Sequence, residues 1–185
     1  MSQRALRTAV DGDSYEKYIA CGKEALARLL DHPQVRNCPE MRGRTGCCIY
    51  LCPVDEPRHT IVWHLIGQVP EDKRDKYFAH AQEKPHRLAK HHYLMLSYEC
   101  RNEAYLQYGG AIRGEKYFHG VSGLTEDADE MLALLNAHLF RDIDLRKVRD
   151  YLDRRNALEM TLHDGTKIPL KPNAFAGILY DLNNV

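Results

Sequence analysis

The chain has 185 residues, and its 26 Lys and Arg balance its 26 Asp and Glu, so the formal net charge is zero. This balance argues against non-specific binding to nucleic acid or to an anionic membrane, and no apolar run reaches the roughly 18 residues of a membrane span. The N-terminal residues lack the continuous apolar core of a secretory signal, so we expect a cytoplasmic protein.

The first third of the chain predicts a helix followed by a β-hairpin. Apolar residues at helical spacing predict a helix from about residue 15 to 31, with Ser14 as its N-cap. The continuously apolar run 46–52 is typical of a buried strand, and the β-branched and aromatic residues of 59–67 predict a second strand. The short connection between them favours an antiparallel pair.

A second helix, a second hairpin and a third helix follow. Pro70 suits the first turn of a helix that should extend to about residue 95, with a kink or a fresh start at Pro85. Residues 111–112 and 116–122 resemble the two arms of a hairpin. After Thr125, apolar residues at i, i+3, i+4 and i+7 predict an amphipathic helix.

The C-terminal part of the chain predicts one more helix at 143–155 and a β-hairpin. Alternating residues in 158–162 and the returning run 167–170 flank an Asp-Gly turn within 163–166, which is a strong short-range hairpin signal. We divide the chain into an N-terminal tail (1–13), an α+β domain (14–142) and a helix-and-hairpin extension (143–185). The predicted fold class is α+β, with helices flanking an antiparallel sheet.

The cysteines and histidines do not predict a metal site. In a strand, Cys48 and Cys52 share one face while Cys47 lies on the other, which is poor geometry for a single metal ion. We therefore expect buried or free thiols. The ten histidines include no i, i+3 or i+4 pair of the kind found in HExxH helices, and we interpret most of them as solvated helix residues.

Four short motifs, taken in order, resemble those of a known family. They are AQEKPHRLA at 81–89, GGAI at 109–112, GVSG at 120–123 and the pair DE at 129–130. Their order and approximate spacing are similar to those of the GlcG/HbpS-like, or haem-degrading domain, family over residues 14–140. The resemblance implies a profilin/PAS-like three-layer arrangement, assembly into homo-oligomers and an association with haem or corrinoid biology.

By this resemblance, a ligand pocket lies where the helix of Lys84 approaches the Gly-Gly segment. Glycines let a backbone approach a planar ligand closely, and a lysine can meet a carboxylate such as a haem propionate. Iron accepts His or Tyr ligands. The ligand-binding residues implied in this way are Lys84, His86, Tyr108, Gly109, Gly110 and His119.

Three functions are compatible with these observations. The first is a small-ligand-binding protein, with haem or a related tetrapyrrole as the leading ligand. The second is an enzyme acting on a small metabolite; the chain has no GxSxG, HExxH, P-loop or dinucleotide motif, so Cys48 or Cys100 would be its nucleophile. The third is an oligomeric interaction module, in which the C-terminal hairpin extends an interface or covers a sheet edge.

Overall fold

The computed structural model describes residues 12–157, 159–161, 167–169, 173–175 and 178. The helices are α1 (Gly12–Asp31), α2 (Pro33–Arg36), α3 (Arg74–Leu88), α4 (Glu126–Leu139) and α5 (Leu145–Asn156). The strands are β1 (Thr45–Pro53), β2 (Val62–Gln68), β3 (Ala111–Arg113), β4 (Tyr117–Ser122), β5 (Glu159–Thr161) and β6 (Lys167–Pro169). No helix of this described part is long and apolar enough to cross a membrane.

The main sheet has the strand order β2-β1-β4-β3, and all its neighbouring strands are antiparallel. Tyr50 marks the register of the central strand, because it lies opposite Trp63 of β2 on one side and Gly120 of β4 on the other. Both predicted hairpins, β1–β2 and β3–β4, are confirmed. The β5–β6 pairing is also confirmed, although its predicted turn at 163–166 lies outside the described residues.

Helices cover both faces of this sheet. Cys47, Ile49 and Leu51 of β1 belong to the hydrophobic cluster that contains residues of α1 and α4. Cys48, Tyr50 and Cys52 point the other way and pack with Ala81 and Leu88 of α3. Since alternate residues of a strand face opposite sides, this central strand is buried on both faces, which explains its continuously apolar sequence. The predicted three-layer α+β arrangement is confirmed.

Helix α4 lies almost entirely inside the core. Thr125 is its N-cap and accepts a hydrogen bond from the Ala128 N–H at 3.4 Å. Residues of α5 join the same hydrophobic cluster through Val148, Tyr151 and Leu152. Helix α5 therefore shares the core of the preceding domain, as do the described residues Phe175 and Ile178.

The predicted continuation of α3 to residue 95 is wrong, because the helix ends at Leu88. The following segment turns back along the free edge of β3, where the Arg113 N–H donates to the Met95 carbonyl at 2.9 Å. The hydroxyl of Tyr151 donates to the Arg113 carbonyl. This edge of the sheet is therefore covered by the chain itself. Pro85 lies inside α3 and does not start a new helix, and Ser14 lies within α1 instead of capping it.

Candidate functional site

Lys84 of α3 is buried, with only 3% of its surface exposed, and its side chain reaches Asp129 of α4. Its ammonium donates hydrogen bonds to the Val121 carbonyl at 2.7 Å and to Asp129 Oδ2 at 2.9 Å. A buried charge needs such partners to offset its lost hydration. An ammonium has three N–H donors, and these two described partners account for two of them.

Gly110 brings the Gly-Gly segment directly against Lys84. A Cβ at this position would lie 2.7 Å from Lys84 Nζ and 2.7 Å from Asp129 Cβ, and the backbone has a φ of +108°. Both the close approach and the left-handed φ require glycine. The neighbouring Gly109 is held in place by a hydrogen bond, because its N–H donates to Glu126 Oε1 at 2.5 Å. The tertiary structure thus brings Lys84, Gly109 and Gly110 together.

Hydrogen bonds with Asp129 and Arg44 hold the Val-Ser-Gly turn that precedes α4. Asp129 Oδ1 accepts from the Leu124 N–H at 2.9 Å, while its other oxygen binds Lys84. Arg44 donates to the Leu124 carbonyl at 2.8 Å. Asp129 and Arg44 therefore hold this turn at the N-terminal end of α4, next to the lysine.

A cavity of about 380 Å³ opens at this point, which is within the usual size range of small-ligand pockets. Lys84, Tyr108 and Asp129 contribute to its lining. The other lining residues are Arg44, Lys76, Tyr77, His80, Leu106, Ser122, Gly123, Leu124, Thr125 and Glu126. Its wall thus combines cations with aromatic and aliphatic side chains.

The cations of this cavity are not all neutralised. Lys84 is paired with Asp129, and Glu126 lies 3.5 Å from Arg101. Among the described residues, no ion pair involves Arg44 or Lys76. Burial, together with the charges of Lys84 and Lys76, lowers the pKa of His80, which favours the neutral imidazole. The cavity therefore carries an excess of positive charge.

Tyr108 lines the cavity and is held through its backbone. The guanidinium of Arg87 donates to the Tyr108 carbonyl at 2.6 Å and to the Cys100 carbonyl at 2.7 Å. Arg87 is itself buried on α3. The segment that carries Tyr108 is therefore tied to the same helix that carries Lys84.

The two histidines implied by the resemblance lie elsewhere. His86 is on α3 but lines a different cavity, beside residues 55–58, and its Nε2 is 3.2 Å from the Tyr50 hydroxyl. His119 is fully buried, and its Nε2 lies 2.9 Å from Asp142 Oδ2. Its ring packs against Tyr18, on the sheet face opposite α3. Neither histidine lines the cavity at Lys84.

Sequence reasoning missed three cationic or imidazole side chains of this cavity: Arg44, Lys76 and His80. Lys76, His80 and Lys84 are spaced i, i+4 and i+8 on α3, so they share one helix face. This spacing is visible in the sequence and could have identified His80 as the histidine of the site. Arg44 has no comparable local signal, since it reaches the cavity from the residue before β1.

A second cavity of about 430 Å³ lies beside the first and shares Thr125 and Glu126 with it. Arg155 lines it and stacks over the ring of Tyr98, with its guanidinium carbon 3.2 Å from the ring centre. Behind this stack, Arg155 lies 3.3 Å from the buried carboxylate of Glu130. Asn173 also donates to Glu130 Oε1 at 3.1 Å, so this network joins α4, α5 and the C-terminal segment.

Glu130 makes stability depend on pH. Burial raises the pKa of its carboxyl from 4.5 to about 7, although the charge of Arg155 opposes the shift. Between these values the folded protein holds a proton that the unfolded chain has released, so the free energy of unfolding falls as pH rises through this window and levels off above it. The contribution of this group is on the order of 3 kcal/mol.

We expect Glu130→Gln to remove this contribution while keeping an Oε1 acceptor for Asn173. Urea unfolding at pH 5, 6, 7 and 8 should show a flatter pH profile than the parent chain, with the difference between them growing from pH 5 to pH 7. Parallel profiles for the two proteins would show that Glu130 does not titrate in this window.

The thiols are not activated nucleophiles. All six cysteines are free, and burial raises the pKa of each of them, to about 12 for Cys48 and Cys52. At neutral pH they are thiols instead of the reactive thiolates. In the described part of the chain, no group of three His, Cys, Asp or Glu side chains could hold a metal ion.

Comparison with protein-family models, curated proteins and solved structures finds no match to this chain. Its functional interpretation therefore rests on the cavity at Lys84 and on the residues that line it.

Proposed function

We propose that the protein binds a small carboxylate-bearing ligand in the cavity at Lys84, as a protein of the GlcG/HbpS-like type, and that haem or a related tetrapyrrole is the leading ligand. The observation that carries this proposal is the pair of cations, Arg44 and Lys76, that line the cavity without a carboxylate partner among the described residues. Charge complementarity favours an anionic ligand at such a wall.

The aromatic side chains of the wall support a flat ligand. Gly109 and Gly110 are not among the lining residues, but Gly110 lets the backbone lie directly against the buried lysine. Tyr77 and Tyr108 add aromatic rings to the lining, and aromatic side chains pack well against planar ligands. A carboxylate near the remaining N–H of Lys84 and an aromatic framework near the tyrosines would use both parts of the cavity.

The residues of the cavity also fit haem. A neutral imidazole and a phenol are both iron ligands in haem proteins, and His80 and Tyr108 supply them here. The lowered pKa of His80 favours its neutral imidazole, which is the form that binds a metal. Arg44 and Lys76 would hold the propionates. Bound haem would supply the iron chemistry, while these side chains orient the group.

A haem titration tests the proposal. The parent protein should show a saturable change in the Soret absorbance, and Arg44→Ala/Lys76→Ala should bind about 3- to 10-fold more weakly because two exposed charge pairs with the ligand are lost. Lys23→Ala/Arg149→Ala is the matched control, since it removes two exposed cations from α1 and α5 and changes the net charge equally. Equal weakening in both variants, or no saturable change in the parent, would refute the proposal.

Two further expectations belong to the same proposal. We place the protein in the cytosol, and we expect it to assemble with copies of itself. The balanced charge of the chain supports a partner that is a small molecule instead of a nucleic acid or a membrane.

A further inference from the structure

Large hydrophobic side chains are exposed at the mouth of the proposed binding cavity. Among the described residues, five large hydrophobic side chains are exposed, and three of them, Tyr105, Leu106 and Tyr108, lie within four consecutive positions. Leu106 and Tyr108 line the cavity. Exposed apolar groups that occur singly need no explanation, but a cluster beside a cavity indicates a binding surface.

The segment that carries this cluster is an ordered loop. Asn102 and Gln107 exchange backbone hydrogen bonds at 2.8 and 2.9 Å, which closes the loop at its base. Within it, the Tyr105 N–H donates to the Asn102 carbonyl at 3.1 Å and the Leu106 N–H donates to the Glu103 carbonyl at 3.0 Å. The backbone of Leu106 is therefore fixed by the loop.

Leu106 has a conformation that its side chain disfavours. Its φ of 55° and ψ of 33° lie in the left-handed region, which crowds the Cβ of any residue other than glycine. Arg141 is the other non-glycine residue with a positive φ in the described part of the chain. The Leu106 side chain is 61% exposed, so core packing does not explain why a leucine occupies this position. Unfavourable conformations of this kind cluster at ligand-binding sites.

We infer that Leu106 is a specificity-determining residue whose exposed side chain forms an apolar wall of the cavity. The ligand class is then an amphiphile: it carries an anionic group for Arg44 and Lys76 and an apolar ring or chain for Leu106 and Tyr108. This inference rests on the proposed function in placing the ligand in this cavity, but it requires neither iron nor a tetrapyrrole.

Fluorescence titration with anilinonaphthalene sulfonate, an anionic amphiphile, tests this inference. Leu106→Gly should weaken binding of the dye about 5- to 10-fold, since an apolar contact of leucine size is lost. The same variant should melt at an equal or higher temperature than the parent, because glycine accepts the left-handed backbone. This combination of weaker binding and undiminished stability would not result from damage to the fold.

Two control variants make the result specific. Arg141→Gly relieves the other left-handed residue, away from the cavity, and should leave dye affinity unchanged. Tyr93→Ala removes an exposed aromatic side chain that does not line the cavity, and it should also bind the dye normally. Affinity losses in these controls equal to that of Leu106→Gly would overturn the inference, because the dye would then be reporting general surface hydrophobicity.

The dye and haem titrations together separate this inference from the proposed function. Leu106-dependent dye binding without a haem response would support the amphiphile class and refute the tetrapyrrole. If the parent protein binds haem and Leu106→Gly binds both haem and the dye with unchanged affinity, the proposed function is supported and the role of Leu106 is overturned. Failure of the parent protein to bind either probe would refute both.

Discussion

Replacing Asp129 with alanine should lower the free energy of unfolding by about 3–5 kcal/mol, because the ammonium of Lys84 would stay buried without its counter-ion. The same carboxylate accepts from the Leu124 N–H, so the turn before α4 would lose its hydrogen bond as well. Urea unfolding at pH 7 measures this loss. The loss should be accompanied by weaker ligand binding, since the turn lines the cavity.

The double variant Lys84→Met/Asp129→Leu distinguishes the buried charge from simple loss of packing. An apolar pair of similar volume removes both charges together, so it should be considerably more stable than Asp129→Ala. Glu24→Ala is the control for an ordinary ion pair. It breaks the exposed i, i+4 pair with Arg28 and should cost less than about 1 kcal/mol. If Asp129→Ala and Glu24→Ala lowered the free energy of unfolding by similar amounts, burial would not make the ion pair of Lys84 more important for stability than an exposed pair.

Replacing Gly120 with alanine should also destabilise the fold, by about 3 kcal/mol, through overpacking against backbone. A Cβ at this position would lie 2.2 Å from the Ala81 carbonyl oxygen and 2.7 Å from Pro85 Cγ. These atoms belong to the helix backbone and to a rigid ring, so α3 would have to move away from β4. Because α3 carries Lys76, His80 and Lys84, ligand binding should weaken together with stability.

Gly43→Ala is the matched control for this steric effect. Gly43 has a φ of +74°, but no atom lies within 4 Å of the position that a Cβ would take, so alanine there tests conformation alone. Gly43→Ala should lower the free energy of unfolding by about 1–2 kcal/mol, and ligand binding should be unchanged. Thermal and urea unfolding of both variants give the comparison. A smaller loss at Gly120 than at Gly43 would show that α3 can shift away from the sheet at little cost.

The order of the elements was predictable because most of them have local signals. The apolar run of β1, the β-branched residues of β2 and the Thr125 cap of α4 each predict their element without knowledge of the rest of the chain. The end of α3 was not predictable in this way. Residues after Leu88 continue a helical pattern in sequence, but Met95 pairs with the edge of β3, and this competition between local and long-range hydrogen bonds is not visible locally.

The candidate site was likewise predictable only in part from the sequence. Lys84 and the Gly-Gly segment were implied together by the resemblance, and the structure places them in contact. His86 and His119 were selected because histidine is a common iron ligand. The type of a residue does not specify which way its side chain points in the fold. His86 faces another cavity, and His119 faces the opposite side of the sheet. The spacing of Lys76, His80 and Lys84 on one helix face was a stronger signal than residue type.

By itself, the sequence determined the α+β class, the strand pairs and the presence of the long helices, since hydrophobic periods depend on neighbours within a few residues. Only the tertiary structure decided which charged groups meet. Arg44, Lys84 and Asp129 lie on three separate segments of the chain, and their distances depend on how α3 and α4 pack against the sheet. Charge interactions act through space and not along the chain, so the cavity and its excess of positive charge emerged only when the elements were assembled.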